Sequence, residues 1–312
     1  MTIGLVVDSA CDLPRDFFHD HGIEIMPISL HFGNERFVDL RDPEATLNFY
    51  KDYIPEHGLK AETEAFTVEE ISRLFLDQLV TRYDRVLVCA IAGTRSQIFH
   101  NATQASFRIL KEYHRRREAS GLKGNFMLRV VDTGQLFTGE GVLVWELVHQ
   151  LAQHPEMGLE RLRQFAERFK RQVYTYAIPR DLQYIRERGR QRGDRSVGWL
   201  QSQLGGLLDV KPIVEAHVGE THPIGKVRHF EAAVDQVMSR AIERIDRGNL
   251  VAPVVVLSYA GEIRELHHLE AYRRLRLRAD EAQVKLLESM MSTTAGVYLG
   301  AGSFSLAYAA DR

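Results

Sequence analysis

Short apolar runs alternate with segments of helical spacing along the first half of the chain. "TIGLVVD" (2–8) predicts a strand, and "SACDLPRDFFHDHG" (9–22) a helix opened by Asp12 and Pro14 and closed by Gly22. "IEIMPISLHF" (23–32) reads as one second strand. "DPEATLNFY" (42–50) opens a helix with Asp42 as cap and Pro43 at its first position, and "TVEEISRLFLDQLVTRY" (67–83) places a capping box, Thr67 and Glu70, ahead of helically spaced apolar residues. "VLVCAIA" (86–92) predicts a buried strand that stops at Gly93-Thr94-Arg95-Ser96 and opens a helix to about Tyr113. A basic loop, the strand "FMLRVVD" (126–132) and the helix "EGVLVWELVHQLA" (140–152) follow. Strands separated by helices predict right-handed crossovers and a parallel sheet.

After about residue 170 the pattern changes. "VYTYAI" (173–178) predicts a strand, "SVGWLQSQLGGLL" (196–208) a short helix, and "DVKPIVEAHVGETHPIGKVR" (209–228) a hairpin around Gly219. A helix to about Ile245, the strand "PVVVLSYAG" (253–261) and an arginine-rich helical stretch come next. "AGVYLGAGSFSLAYA" (295–309) reads as two short apolar runs around a Gly-Ala-Gly turn. The expectation is two α/β domains: residues 1–170 around a parallel sheet flanked by helices, and 171–312 around a mixed sheet.

Composition narrows the class without naming a function. At 312 residues the chain is long for a single core. Forty Lys and Arg against 42 Asp and Glu give a net charge of -2, no general attraction for nucleic acid or an anionic membrane. Cys11 and Cys89 sit in or beside apolar runs and read as reduced core residues. No stretch reaches the roughly 20 apolar residues of a spanning helix, and the first run is too short for a secretion signal, so the expected setting is cytoplasmic, with no integral membrane association.

Candidate chemistry gathers at strand ends, where open parallel sheets collect ligands. Asp8-Ser9, Gly93 to Ser96 and Asp132-Thr133-Gly134 each put a hydroxyl or small residue before a helix. That is the composition of helix caps and equally of an anion site, and Arg95 tilts the middle one toward an anion. Asp8 and Asp132 could hold magnesium, although strand-end acids more often hold loop backbone. No phosphate-binding loop, nucleophile elbow or paired-histidine zinc motif is present, and His19/His21 and His267/His268 read as surface pairs. Two basic stretches remain. "AYRRLRLR" (271–278) reads as a solvated helix face, and "RERGRQRGDR" (186–195) as a glycine-broken loop able to dock an acidic partner.

The ordered motifs resemble the DegV family over nearly the whole chain. "VVDSACDLP" matches its Asp-Ser opening, and "LHFGNERFVDLRDPEATLNFY" its glycine-containing strand, acidic loop and Phe-Tyr helix. "TEAFTVEEI" stands in place of a Thr-Ser-Gln-Pro-Ser-Pro signature, "AGT" (92–94) in place of Ser-Gly-Thr, and "VVDTGQLFTGEG" in place of an Asp-Ser segment followed by glycines. "DLQYIRERGR" and "LLDVKPIVEAHVGETHPIGKVR" match the Gly-Gly-Arg and Lys-Pro-Ile…Lys-x-Arg blocks, and "VYLGAGSFSLAYA" the His-x-Gly-Pro-Gly ending. The resemblance implies a DegV-like fold with a long-chain fatty acid between its two α/β domains. It also implies a binding protein without catalytic machinery, metal or cofactor, resembling the binding subunit of bacterial fatty acid kinase. Such a protein presents its ligand to a separate ATP-dependent kinase that makes an acyl phosphate for phospholipid metabolism.

The ligand-binding candidates are Thr63, Gly93, Thr94, Tyr298, Gly300 and Gly302 at positions matching the family's motifs, with Arg95 and Ser96 as extra polar groups at the same turn, and the partner-docking candidates are Arg190, Lys226 and Arg228. Three expected head-group positions depart from the family pattern, as Glu64, Ala92 and Tyr298. The carboxylate is therefore expected to lean partly on Arg95, unless Arg95 pairs with Glu64. The competing class is an enzyme acting on a small phosphorylated or carboxylated metabolite, with Asp8, Asp132 and Arg95 around it. A nucleic-acid-binding regulator would rest only on the arginine runs, which the near-neutral charge does not favour.

Overall fold

A computed structural model describes residues 3–192 and 210–311. Its strands in chain order are β1 Ile3–Asp8, β2 Glu24–Met26, β3 Ile28–Phe32, β4 Glu35–Asp39, β5 Glu62–Ala65, β6 Arg85–Ala90 and β7 Met127–Asp132. They continue as β8 Val173–Ile178, β9 Val210–His217, β10 Glu220–Arg228, β11 Leu250–Tyr259, β12 Lys285–Met290 and β13 Phe304–Ala310. The first sheet, ordered β2-β1-β6-β7, is parallel throughout. The largest, β10-β9-β8-β13-β11-β12, is mixed, antiparallel except for its last pair. This is the α/β fold expected from the alternation.

A third sheet, β4-β3-β5, is antiparallel and was not expected. The single strand expected over residues 23–32 breaks at Pro27, which has no N–H to give a ladder. Ser9 staples the break: its N–H donates to the Met26 carbonyl at 3.1 Å, and its hydroxyl accepts the Ile28 N–H at 3.0 Å. The chain thus leaves the parallel sheet at Met26 and enters the small sheet at Ile28.

Other expectations need correction. Asp12 does not open the first helix, which runs Arg15–Asp20 behind Pro14 with no side-chain cap. The basic stretch from Arg186 is helical to Arg192, within the helix Leu182–Arg192, so Gly189 does not break it. The rest of that stretch and the short helix expected over 196–208 lie outside the described residues. The two apolar runs at the C-terminal end, left unassigned by their pattern, are the helix Thr293–Leu299 and the strand β13. The capping box at Thr67 and Glu70, the Asp42 cap and the hairpin turn at Gly219 form as expected.

The helix Thr138–Gln153 explains how the two larger sheets meet. Its residues from Thr138 to Leu147 are all buried. Val142, Leu143 and Leu147 share one hydrophobic cluster with Leu5, Val7 and Leu87 of the parallel sheet and with Val254, Val256 and Ala307 of the mixed sheet. A helix buried on every side fits only between two layers. The cluster crosses position 170. The helix Thr293–Leu299 crosses in the other direction and packs on β3 and β5. Among the described residues no helix is long and apolar enough to cross a membrane. Cys11 and Cys89 are free and buried.

Candidate functional site

The small and the mixed sheet, with the segments that follow β6 and β7 of the parallel sheet, wall one cavity of about 650 Å³. Its apolar lining comes from Ile28 and Ala65 of the small sheet, Ile91, Leu136 and Phe137 beyond β6 and β7, Ala177, Val214 and Ala216 of the mixed sheet, and Ile185 and Leu299 of two helices. Polar side chains interrupt this lining in two places. Thr63 and Tyr298 form one, their hydroxyl oxygens 3.0 Å apart. Thr94, Arg95, Ser96 and Gln97 of the turn after β6, with Thr221 of β10, form the other. Thr175 and Thr294 also line the cavity.

The turn after β6 is tied to its surroundings group by group. The Gly93 N–H donates to Asp132 Oδ1 at 3.1 Å, and the same oxygen accepts the Gly134 N–H at 2.8 Å. The Thr94 hydroxyl donates to the Gly219 carbonyl at 2.9 Å, and Arg95 Nη2 donates to Thr221 Oγ1 at 2.8 Å. Gly219 returns a bond from its N–H to the Gly134 carbonyl at 2.7 Å. The tip of the β9–β10 hairpin therefore seats on both strand ends. Ser96 Oγ accepts the Ile98 N–H at 3.2 Å, and the helix begins only there, at Ile98–Arg108. Gly93 has little room for a side chain, since a Cβ would meet Asp132 Oδ2 at 3.0 Å and the Phe99 ring at 3.0 Å.

The strand-end acids hold backbone. Asp8 is fully buried and accepts the Ala10 N–H at 2.9 Å and the Ile91 N–H at 2.6 Å. Burial pushes its carboxyl up to about 7, against the pull of those two donors. Glu140, in the first turn of the long buried helix, is held well above its usual range by burial first and by Asp8 and Asp12 next. Among the described residues no group of three His, Cys, Asp or Glu is placed to hold a metal ion.

Of the residues singled out from the sequence, Thr63, Gly93, Thr94, Arg95, Ser96 and Tyr298 share this one cavity wall. Gly300 and Gly302 are not in it, which corrects that expectation. Their φ values of +87° and +74° serve the turn from the helix Thr293–Leu299 into β13, against the Tyr184 ring and the Arg180 stem. Glu64 pairs with His31 at 2.7 Å rather than with Arg95. Lys226 and Arg228 stand exposed on the edge strand β10, away from the cavity. The Arg190 side chain lies outside the described residues. Sequence reasoning missed Thr175, Thr221 and Thr294, which carry no signal apart from strand or helix membership.

A scaffold that closes several sheets around a largely apolar cavity with a few convergent hydroxyls is built to hold a small molecule. The chain belongs to the DegV family: the family model described as "uncharacterised protein, DegV family" matches residues 2–311. A DegV domain-containing protein of Xanthomonas campestris pv. campestris is 43% identical over 311 residues, 100% of this chain and 98% of that protein. Among solved structures, a DegV lipid binding protein of Thermotoga maritima shares the fold with a TM-score of 0.78 at 19% identity, over 99% of each chain. A stearic acid-binding protein of Eubacterium ventriosum does so with a TM-score of 0.75 at 20% identity, over 99% of this chain and 98% of that one.

Proposed function

We propose that this protein binds a long-chain fatty acid, with the acyl chain along the apolar lining and the carboxylate at Thr63 and Tyr298. The observation that carries the reading is the hydroxyl pair set in an otherwise largely apolar wall. Each methylene taken from water contributes about 0.8 kcal/mol, so a long chain supplies the affinity and the hydroxyls supply orientation. Arg95, in the same wall, adds positive potential. The solved relatives that share the fold are described as binding lipid and stearic acid, which supports the ligand class.

In this reading the chain is a carrier in the cytoplasm. A separate ATP-dependent kinase phosphorylates the bound acid, docking on Lys226, Arg228 and Arg190. The competing enzyme reading loses support because Asp8 and Asp132 are engaged by backbone N–H groups.

The test is direct. Protein purified from its cells and extracted with solvent after denaturation releases a fatty acid identifiable by mass spectrometry. The lipid-free protein rebinds oleate, and Tyr298→Phe weakens that binding about tenfold, the size of one hydrogen bond to a charged group. Magnesium-dependent phosphate release from ATP or acyl phosphate by the chain alone, abolished by Asp8→Asn, would establish the enzyme reading instead.

A further inference from the structure

The helix Thr293–Leu299 carries Thr294, Tyr298 and Leu299 into the cavity wall, yet its seven residues are too few to hold a position by themselves. Its placement comes from behind, through a buried network on residues 290–294. The Tyr50 hydroxyl lies 2.7 Å from the Ser292 carbonyl, to which it donates, and 3.1 Å from that of Met291. Asp12 accepts the Ser292 N–H at 2.8 Å on one oxygen and the Ser258 hydroxyl at 2.6 Å on the other. Asp39 accepts both the N–H and the hydroxyl of Thr294, at 3.1 and 3.2 Å.

Arg41 completes the network. Its Nη2 donates to the Met290 carbonyl at 2.9 Å, its Nη1 stands 3.4 Å from Asp12, and its backbone N–H donates to Asp39 at 3.1 Å. Asp12, Asp39, Arg41 and Tyr50 are all buried. Arg41 also has a φ of +57°, a left-handed conformation that persists in a non-glycine residue only where its surroundings impose it. The middle of the helix is set just as closely, because a Cβ on Gly296 would lie 2.4 Å from the Tyr50 hydroxyl oxygen.

Three separate places in the first fifty residues therefore grip the start of a helix whose far end presents Tyr298 to Thr63. Thr294, held by Asp39, is one helical turn from Tyr298, so a shift at the gripped end moves the hydroxyl at the other. Hydrogen bonds tolerate only a few tenths of an ångström of such movement. We propose that Asp39, with Asp12, Arg41 and Tyr50, is a positioning set for the ligand head group. It fixes the helix that brings Tyr298 to Thr63 and so sets the preference for a carboxylate over an uncharged head group. The inference rests on the assignment of the carboxylate to that hydroxyl pair.

The test uses the full, lipid-free chain and competition of oleate and of oleyl alcohol against a fluorescent fatty acid. The quantity read is the ratio of the two affinities, which loss of general stability does not change. Asp39→Asn lowers the acid-to-alcohol ratio about tenfold, Tyr298→Phe does the same, and the double change goes no further. Tyr50→Phe and Gly296→Ala shift the helix without removing a charge and lower the ratio to a lesser degree; they decide the matter if Asp39→Asn does not fold. A ratio lowered by Tyr298→Phe but unchanged in the other three overturns the positioning role and leaves the head-group assignment standing. So does a parallel fall of both affinities in Asp39→Asn, the mark of a purely structural residue. A ratio unchanged in Tyr298→Phe overturns the head-group assignment itself.

Discussion

The two polar places in the cavity wall differ in how the fold anchors them. At the turn after β6, Gly93, Thr94, Arg95 and Ser96 each make a bond within the protein, to Asp132, Gly219, Thr221 and Ile98. The bonds to Gly219 and Thr221 seat the β9–β10 hairpin and close the wall. The Thr63 and Tyr298 hydroxyls lie 3.0 Å apart, and the helix that carries Tyr298 is anchored one layer back, on the backbone of residues 290–294. A donor-rich stretch at a strand end is thus not in itself a ligand cradle. Tertiary contacts decide which of its donors are spent on the fold.

The comparison is tested most strongly at the acids behind each place. Asp12→Ala leaves the buried Arg41 guanidinium without its carboxylate and strips the Ser292 N–H and Ser258 hydroxyl of their acceptor. The expected loss is about 3–5 kcal/mol in urea denaturation. Asp132 is partly exposed, so Asp132→Ala lets water reach the Gly93 and Gly134 N–H groups and costs about 1–2 kcal/mol. Equal losses would remove the distinction between a deeply anchored helix and a surface-anchored turn.

Asp8 stands behind the turn through the Ile91 N–H, and its behaviour depends on pH. Its carboxyl is pushed up to about 7 by burial, above the unfolded value of about 3.9. The folded chain therefore binds more protons than the unfolded one between those values. This group's contribution is fully present below about pH 4 and is lost as pH rises through 7, by up to about 4 kcal/mol. Asp8→Asn does not titrate. Its stability relative to the parent protein should rise steadily from pH 4 to pH 7.5 in urea denaturation. A constant difference over that range would place the Asp8 carboxyl at an ordinary value.

Much of this was legible in the pattern of the chain, and the reasons for the remainder are physical. The parallel sheet, the Thr67 capping box and the hairpin at Gly219 depend on residues close in sequence, and periodicity reports them. Residues 23–32 form one apolar run, but nothing local says that Pro27 sends its two halves to different sheets. "VDLRDP" looks like an ordinary polar turn, while Asp39 and Arg41 bond to residues about 250 positions away. Asp12 resembles a helix cap for the same reason: its partners Ser258 and Ser292 are invisible to local spacing. Thr63 and Tyr298 entered through the resemblance to DegV proteins alone, since a lone threonine and tyrosine carry no spacing signal.

The smallest expected effect is also the one that most sharpens the comparison. A direct bond from Arg95 to the carboxylate, the expectation from the sequence, would make Arg95→Ala weaken fatty-acid binding by about 1.5–3 kcal/mol. Its guanidinium instead donates to the Thr221 hydroxyl, and Glu64, the alternative partner, is held by His31. Arg95 still lines the same cavity and acts on an anion there at longer range and through partial screening. Arg95→Met is therefore expected to weaken oleate by only about 1 kcal/mol, more at low salt than at high, and to leave oleyl alcohol unchanged. Glu64→Gln should change neither affinity, because Glu64 bonds His31 on the exposed side of β5 and does not line the cavity. A selective loss of the larger size, insensitive to salt, would move the head group to the turn after β6 and reverse the roles assigned to the two places.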